Sequence, residues 1–178
     1  MRLTPSVFRL AASLPLAFGL QPPCPLPQLR AKVRRVGRFI FATSVGVWLG
    51  TVVSFSFVFL PTIHDSLARG AAHELLERMF PRYHLIGIVC GLIALAAVSL
   101  APPSPTLSYE DRLRLAFPVV VSLLCTVATR QWLLPRLATE RATGTEDSFA
   151  RWHRLSVQLN TTILAMLVLA MAAVNSRQ

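Results

Sequence analysis

A chain of 178 residues with 53% hydrophobic and only 15% charged side chains, and a mean hydropathy of +0.54, is poorly suited to an aqueous fold. Its net charge of +10 raises nucleic acid as a partner. However, 7 of the 18 basic residues precede the first apolar span, where membrane orientation accounts for them, and no RNA-type aromatic motif is present, so nucleic acid is set aside. Three cysteines without a CxxC pattern indicate neither a zinc site nor a disulfide framework.

Residues 1–36 form a basic, proline-containing extension without a single acid. Arg2 and Arg9 flank an apolar run from Leu10 to Leu20, and a proline-rich stretch from Gln21 to Pro27 follows. A targeting peptide and a disordered tail both fit this composition. Residues 37–176 form the membrane domain. The basic side chains are almost all arginine, and alanine, leucine and valine abound, a bias typical of high-GC coding sequences.

Four apolar stretches reach the ~20 residues that a helix needs to cross a bilayer. The first runs from about Phe39 to Leu60, behind Arg30, Lys32, Arg34, Arg35 and Arg38, and ends at Pro61. The second runs from about His84 to Ala101 and stops at Pro102-Pro103. The third follows a capping-box pattern, Ser108-x-x-Asp111, and runs from about Leu113 to Leu134 before Pro135. The fourth runs from about Trp152 to Val174. Between the first two, Leu67, Ala71, Leu75 and Met79 form an apolar stripe at helical spacing, as an interfacial or a solvated connecting helix would. The expected fold is therefore an all-α four-helix transmembrane bundle with amphipathic links on one face. The basic cluster before the first span places both termini in the cytoplasm, in a bacterial cytoplasmic membrane.

The halves repeat. Leu60-Pro61 with Gly70 matches Leu134-Pro135 with Gly144 at an offset of 74, and Phe80-x-Arg82-Tyr83-His84 matches Phe149-x-Arg151-Trp152-His153 at an offset of 69. Two tandem helical hairpins entering from the same side give a parallel repeat with a pseudo-twofold axis along the membrane normal. Such repeats occur in transporters.

The repeat sets His84 and His153 at equivalent positions at the outer membrane boundary. Two neutral imidazoles facing the axis would be able to hold copper or haem iron. The alternative, which we prefer, is an interfacial girdle in which Tyr83 and Trp152 seat at the headgroups and Arg82 and Arg151 extend outward. No resident cofactor is then expected. Arg130, followed by Trp132 and, past the proline, by Arg136, is the one ionisable side chain well inside a span, with Tyr83, Gln158, Asn160 or a lipid phosphate as candidate partners. No Asp or Glu lies inside a span, which weighs against a buried-carboxylate carrier and against acid–base hydrolysis. Gly46-x-x-x-Gly50 and Gly87-x-x-x-Gly91 are helix-packing signals, with Ser156 and Asn160 at the positions that match Gly87 and Gly91.

Four segments together resemble the transmembrane protein 205-like family of small four-span proteins: Gly46-Val-Trp48-Leu-Gly50, Met79-Phe-Pro-Arg82-Tyr83-His84, Arg130-Gln-Trp132-Leu-Leu-Pro135-Arg136, and Arg151-Trp152-His153-Arg-Leu-Ser156. The resemblance covers roughly residues 37–175. It implies a multi-pass membrane protein without agreed catalytic residues.

Three readings follow. The first is a non-enzymatic bundle that handles a small solute or ion or supports stress tolerance. The second is a haem- or copper-binding redox protein using His84 and His153. The third is a scaffold that binds other membrane proteins through its glycine faces. The bilayer is a partner in all three, and the glycine faces admit a homo-oligomer.

Overall fold

The computed structural model describes residues 26–100, 109–143 and 146–176, and every element among them is helical. Helix α1 spans Leu26–Ser54 and passes through a π-helical turn, Phe55–Phe59, into α2, Leu60–Ser66. After a break at Leu67 and Ala68, α3 spans Arg69–Ser99. Helix α4 (Tyr109–Ala128) passes through a second π-helical turn, Thr129–Leu133, into α5 (Leu134–Thr143), and α6 spans Glu146–Asn175. Four helical stretches are long and apolar enough to cross a membrane: Ala31–Ser66, Gly70–Ser99, Tyr109–Arg141 and Asp147–Asn175. The molecule is an integral, multi-pass four-helix bundle.

Three expectations change in detail. The first and third spans do not stop at their prolines. Pro61 and Pro135 lack an amide hydrogen, and in an α-helix their rings would clash with the carbonyl four residues back. The π turn relieves both problems: Leu60 donates its N–H to Phe55 O and Leu134 to Thr129 O, five residues back, and the helix runs on through the proline. The link over 64–79 is not a separate interfacial element, since most of it is the N-terminal part of α3. The helix also begins well before the first span: Lys32, Arg34, Arg35 and Arg38 ride on the early turns of α1. Residues 1–25, with the apolar run and most of the proline-rich stretch, and Ser108 of the capping box lie outside the described residues.

At 36 residues the first stretch is ~54 Å long, against a hydrocarbon core of ~30 Å, so the helices extend past the membrane. The extensions meet on one side. There Arg141 of α5 reaches Glu77 of α3 at 3.8 Å and lies 5.0 Å from the Phe149 ring.

Helix α1 packs on α3, α4 on α6, α3 on α4, and α1 closes the ring against α6. The duplication is visible in this packing. The two π turns are 74 residues apart, and the buried positions of the first span recur at the same offset: Ser44 with Pro118, Val45 with Val119, Trp48 with Ser122, Val52 with Thr126, and Phe55 with Thr129. In the returning helices Ala94 matches Ile163 and Val98 matches Leu167, all buried, at an offset of 69.

Candidate functional site

The polar groups of the bundle gather where the π turns lie. In the first hairpin the turn begins at Phe55, which continues the buried stripe of Val45, Trp48 and Val52 and packs on α3. Phe55 stacks on Tyr83 with centroids 4.5 Å apart and meets Phe80 edge-on at 5.4 Å. Ser56, the next residue, reaches across to α6. Tyr83 Oη donates to Asn160 Oδ1 at 2.9 Å, and Asn160 Nδ2 donates to Ser56 Oγ at 2.9 Å. Three helices are thus tied by one side-chain chain, in a medium where an unmade hydrogen bond has no water to replace it.

His84 lies beside this chain. It is only 5% exposed, its ring meets Tyr83 edge-on at 4.9 Å, and it shares a 2.8 Å hydrogen bond with Phe80 O. A carbonyl only accepts, so Nδ1 carries the hydrogen and Nε2 of the neutral ring is the free acceptor. Arg130, in the second π turn, is half-buried. Ser56 and Arg130 occupy equivalent positions in the two π turns, and Ser56 is bonded to Asn160 of the opposite hairpin.

The remaining candidates lie apart from this cluster. His153 is exposed and stacks on Phe149 at 6.0 Å, so the two repeat histidines have unlike surroundings, one interior and one at the surface. Arg136 lies 5.6 Å from the Trp152 ring, a cation–π pair at the rim of the second hairpin. Trp132 is 75% exposed, and Arg82 and Arg151 are exposed as well. Of the partners expected for Arg130, Tyr83 and Asn160 instead bond each other. Among the described residues no group of three or more His, Cys, Asp or Glu side chains is clustered as metal ligands. His73, near the start of α3, has its Nε2 buried without a hydrogen-bond partner among the described residues.

The two glycine pairs differ. Gly87 and Gly91 form a seat for the Trp48 indole: a Cβ on Gly87 would stand 2.6 Å from Trp48 Nε1, and one on Gly91 would stand 2.9 Å from Trp48 Cζ3. They pack as expected, but against a side chain rather than a helix backbone. A Cβ on Gly46 or Gly50 would meet no atom within 4 Å among the described residues. Gly50 instead helps line an open groove of about 550 Å³ between α1 and α3, walled by Val47, Thr51, Phe55, Arg82 and Tyr83 among others.

Sequence reasoning missed Ser56 and Phe55. The repeat carried the signal, since the offset of 74 maps Arg130 onto Ser56.

Comparison with curated proteins and with solved structures gives no match. A family described as a domain of unknown function (DUF4149) matches residues 43–146, from α1 through both π turns to the start of α6. The match takes in Ser56, Tyr83, His84, Arg130 and the groove, and because it covers more than half of the sequence, the chain belongs to this family.

Proposed function

We propose that the protein is a non-enzymatic membrane component that works by lateral recognition within the bilayer, with the groove between α1 and α3 as its binding surface. One observation carries this reading. The bundle interior is filled by fully buried apolar side chains such as Val45, Val52, Val119 and Leu167, while the Gly46–Gly50 face is left bare beside a groove. A closed core with an open flank suits a protein that holds a neighbour better than one that passes a solute through its centre. A photo-crosslinking side chain at Val47, which is 51% exposed on the groove wall, tests it. The reading predicts a discrete adduct there. Labelling no different from that of a crosslinker at Val168, exposed elsewhere on the bundle, would overturn it.

A second reading, handling of a small ion, is supported by Arg130, a half-buried cation within the third span. Flux through proteoliposomes that is lost in Arg130→Gln would favour it. We further propose that both termini face the cytoplasm of a bacterial cell. The basic turns of α1 support this orientation, and a reporter fused after Gln178 tests it. Kinship with the transmembrane protein 205-like family is proposed on the four segments quoted above.

A further inference from the structure

We propose that the groove between α1 and α3 holds one anionic phospholipid, with its phosphate on Arg82 and an acyl chain along the Gly46–Gly50 face. The inference rests on the reading of the groove as a binding surface and names its occupant. The volume of about 550 Å³ falls in the range of small-molecule sites. Gly50 lines the groove with bare backbone, and a Cβ there, or on Gly46 one turn earlier, would meet no atom within 4 Å among the described residues. With Val47, Phe55, Phe59, Met79 and Ile86 around it, the wall is largely apolar and suits a hydrocarbon chain.

The mouth of the groove is cationic. Arg82 lies on its wall, exposed and without a hydrogen bond or ion pair among the described residues. Arg78, one turn earlier, is already neutralised by Glu74 at 2.6 Å. Arg82 is 17 residues from Ser99 at the other end of α3, ~26 Å along the helix. This puts its guanidinium at the edge of a hydrocarbon layer ~30 Å thick, at the level of lipid phosphates. A guanidinium binds phosphate through two parallel N–H groups, and a weakly hydrated cation loses little on leaving water. Ser54, on the same wall, makes no side-chain hydrogen bond among the described residues, and its hydroxyl can serve the lipid's ester oxygens. Charge, depth and chain-shaped space therefore point to one ligand class.

The test is lipid retention. The full chain is placed in vesicles of phosphatidylglycerol and phosphatidylcholine in equal amounts, extracted in mild detergent, and weighed by native mass spectrometry. One phosphatidylglycerol per chain is expected to persist. Arg82→Gln is expected to lower retention about tenfold. Gly50→Leu, which fills the groove but spares Arg82, is expected to abolish it. Arg154→Gln, a change at an exposed arginine on α6, is expected to leave retention unchanged. Equal losses in Arg82→Gln and Arg154→Gln, or equal retention of the two lipids, would overturn the proposal. The Val47 crosslinker separates this failure from that of the broader reading. A lipid adduct supports both, a protein adduct sinks the lipid assignment while leaving lateral recognition standing, and background labelling sinks both.

Discussion

The two hairpins share a backbone plan and differ in how they are filled. Each has a π turn before a Leu-Pro step and buried positions at the same spacing. In the first, a tryptophan at position 48 lies on two glycines; in the second, Ser122 stands where Trp48 stands, and Ser156 and Asn160 stand where the glycines stand. Volume has been moved from the outgoing helix to the returning one. The first hairpin is thereby held by shape. The second carries polar side chains into the layer where the halves meet, and its Asn160 ties the hairpins together. A duplicated scaffold has kept its geometry while dividing its labour.

That contrast can be broken experimentally. The largest effect is expected at Trp48. Trp48→Ala empties the glycine seat and should cost about 3–5 kcal/mol in denaturant unfolding in mixed micelles, whereas Ser122→Ala at the matching position should cost about 1 kcal/mol or less. Next is the glycine seat itself. Gly87→Ala forces a methyl against the indole and should cost about 1–3 kcal/mol, while Gly50→Ala, on the open face, should stay within about 0.5 kcal/mol. Asn160→Ala removes both links of the three-helix chain and should cost about 1 kcal/mol, with Tyr83→Phe, which removes one, costing about 0.6 kcal/mol. The smallest signal concerns the repeat histidines. Because His153 is exposed while His84 is buried, protein produced with haem and copper supplied should purify without a Soret band or stoichiometric copper. A band lost in both His84→Ala and His153→Ala would restore the paired-ligand reading.

Much of the fold was legible because the bilayer imposes length. Four apolar runs of spanning size leave few alternatives, and the Leu-Pro and Phe-x-Arg-aromatic-His steps exposed the duplication. The prolines were misread as stops for a physical reason. Proline usually ends a helix, and only the backbone shows that a five-residue turn upstream has absorbed the missing donor. The glycine pairs looked alike in sequence, because nothing local says which one a distant indole will cover. Arg130 stood out from its depth, but the Tyr83–Asn160–Ser56 chain did not, since it depends on how α3 and α6 meet the first π turn.

Trp48 under its glycine seat is the point on which the account turns, and tryptophan fluorescence reads it directly. Single-tryptophan proteins that retain only Trp48 or only Trp132 can be placed in bilayers of brominated phospholipid, whose bromines quench an indole that touches lipid. Trp48 is 2% exposed and Trp132 is 75% exposed. The account predicts weak quenching of Trp48 and strong quenching of Trp132. Equal quenching of the two would show that the first hairpin is not closed by its tryptophan, and would contradict the account.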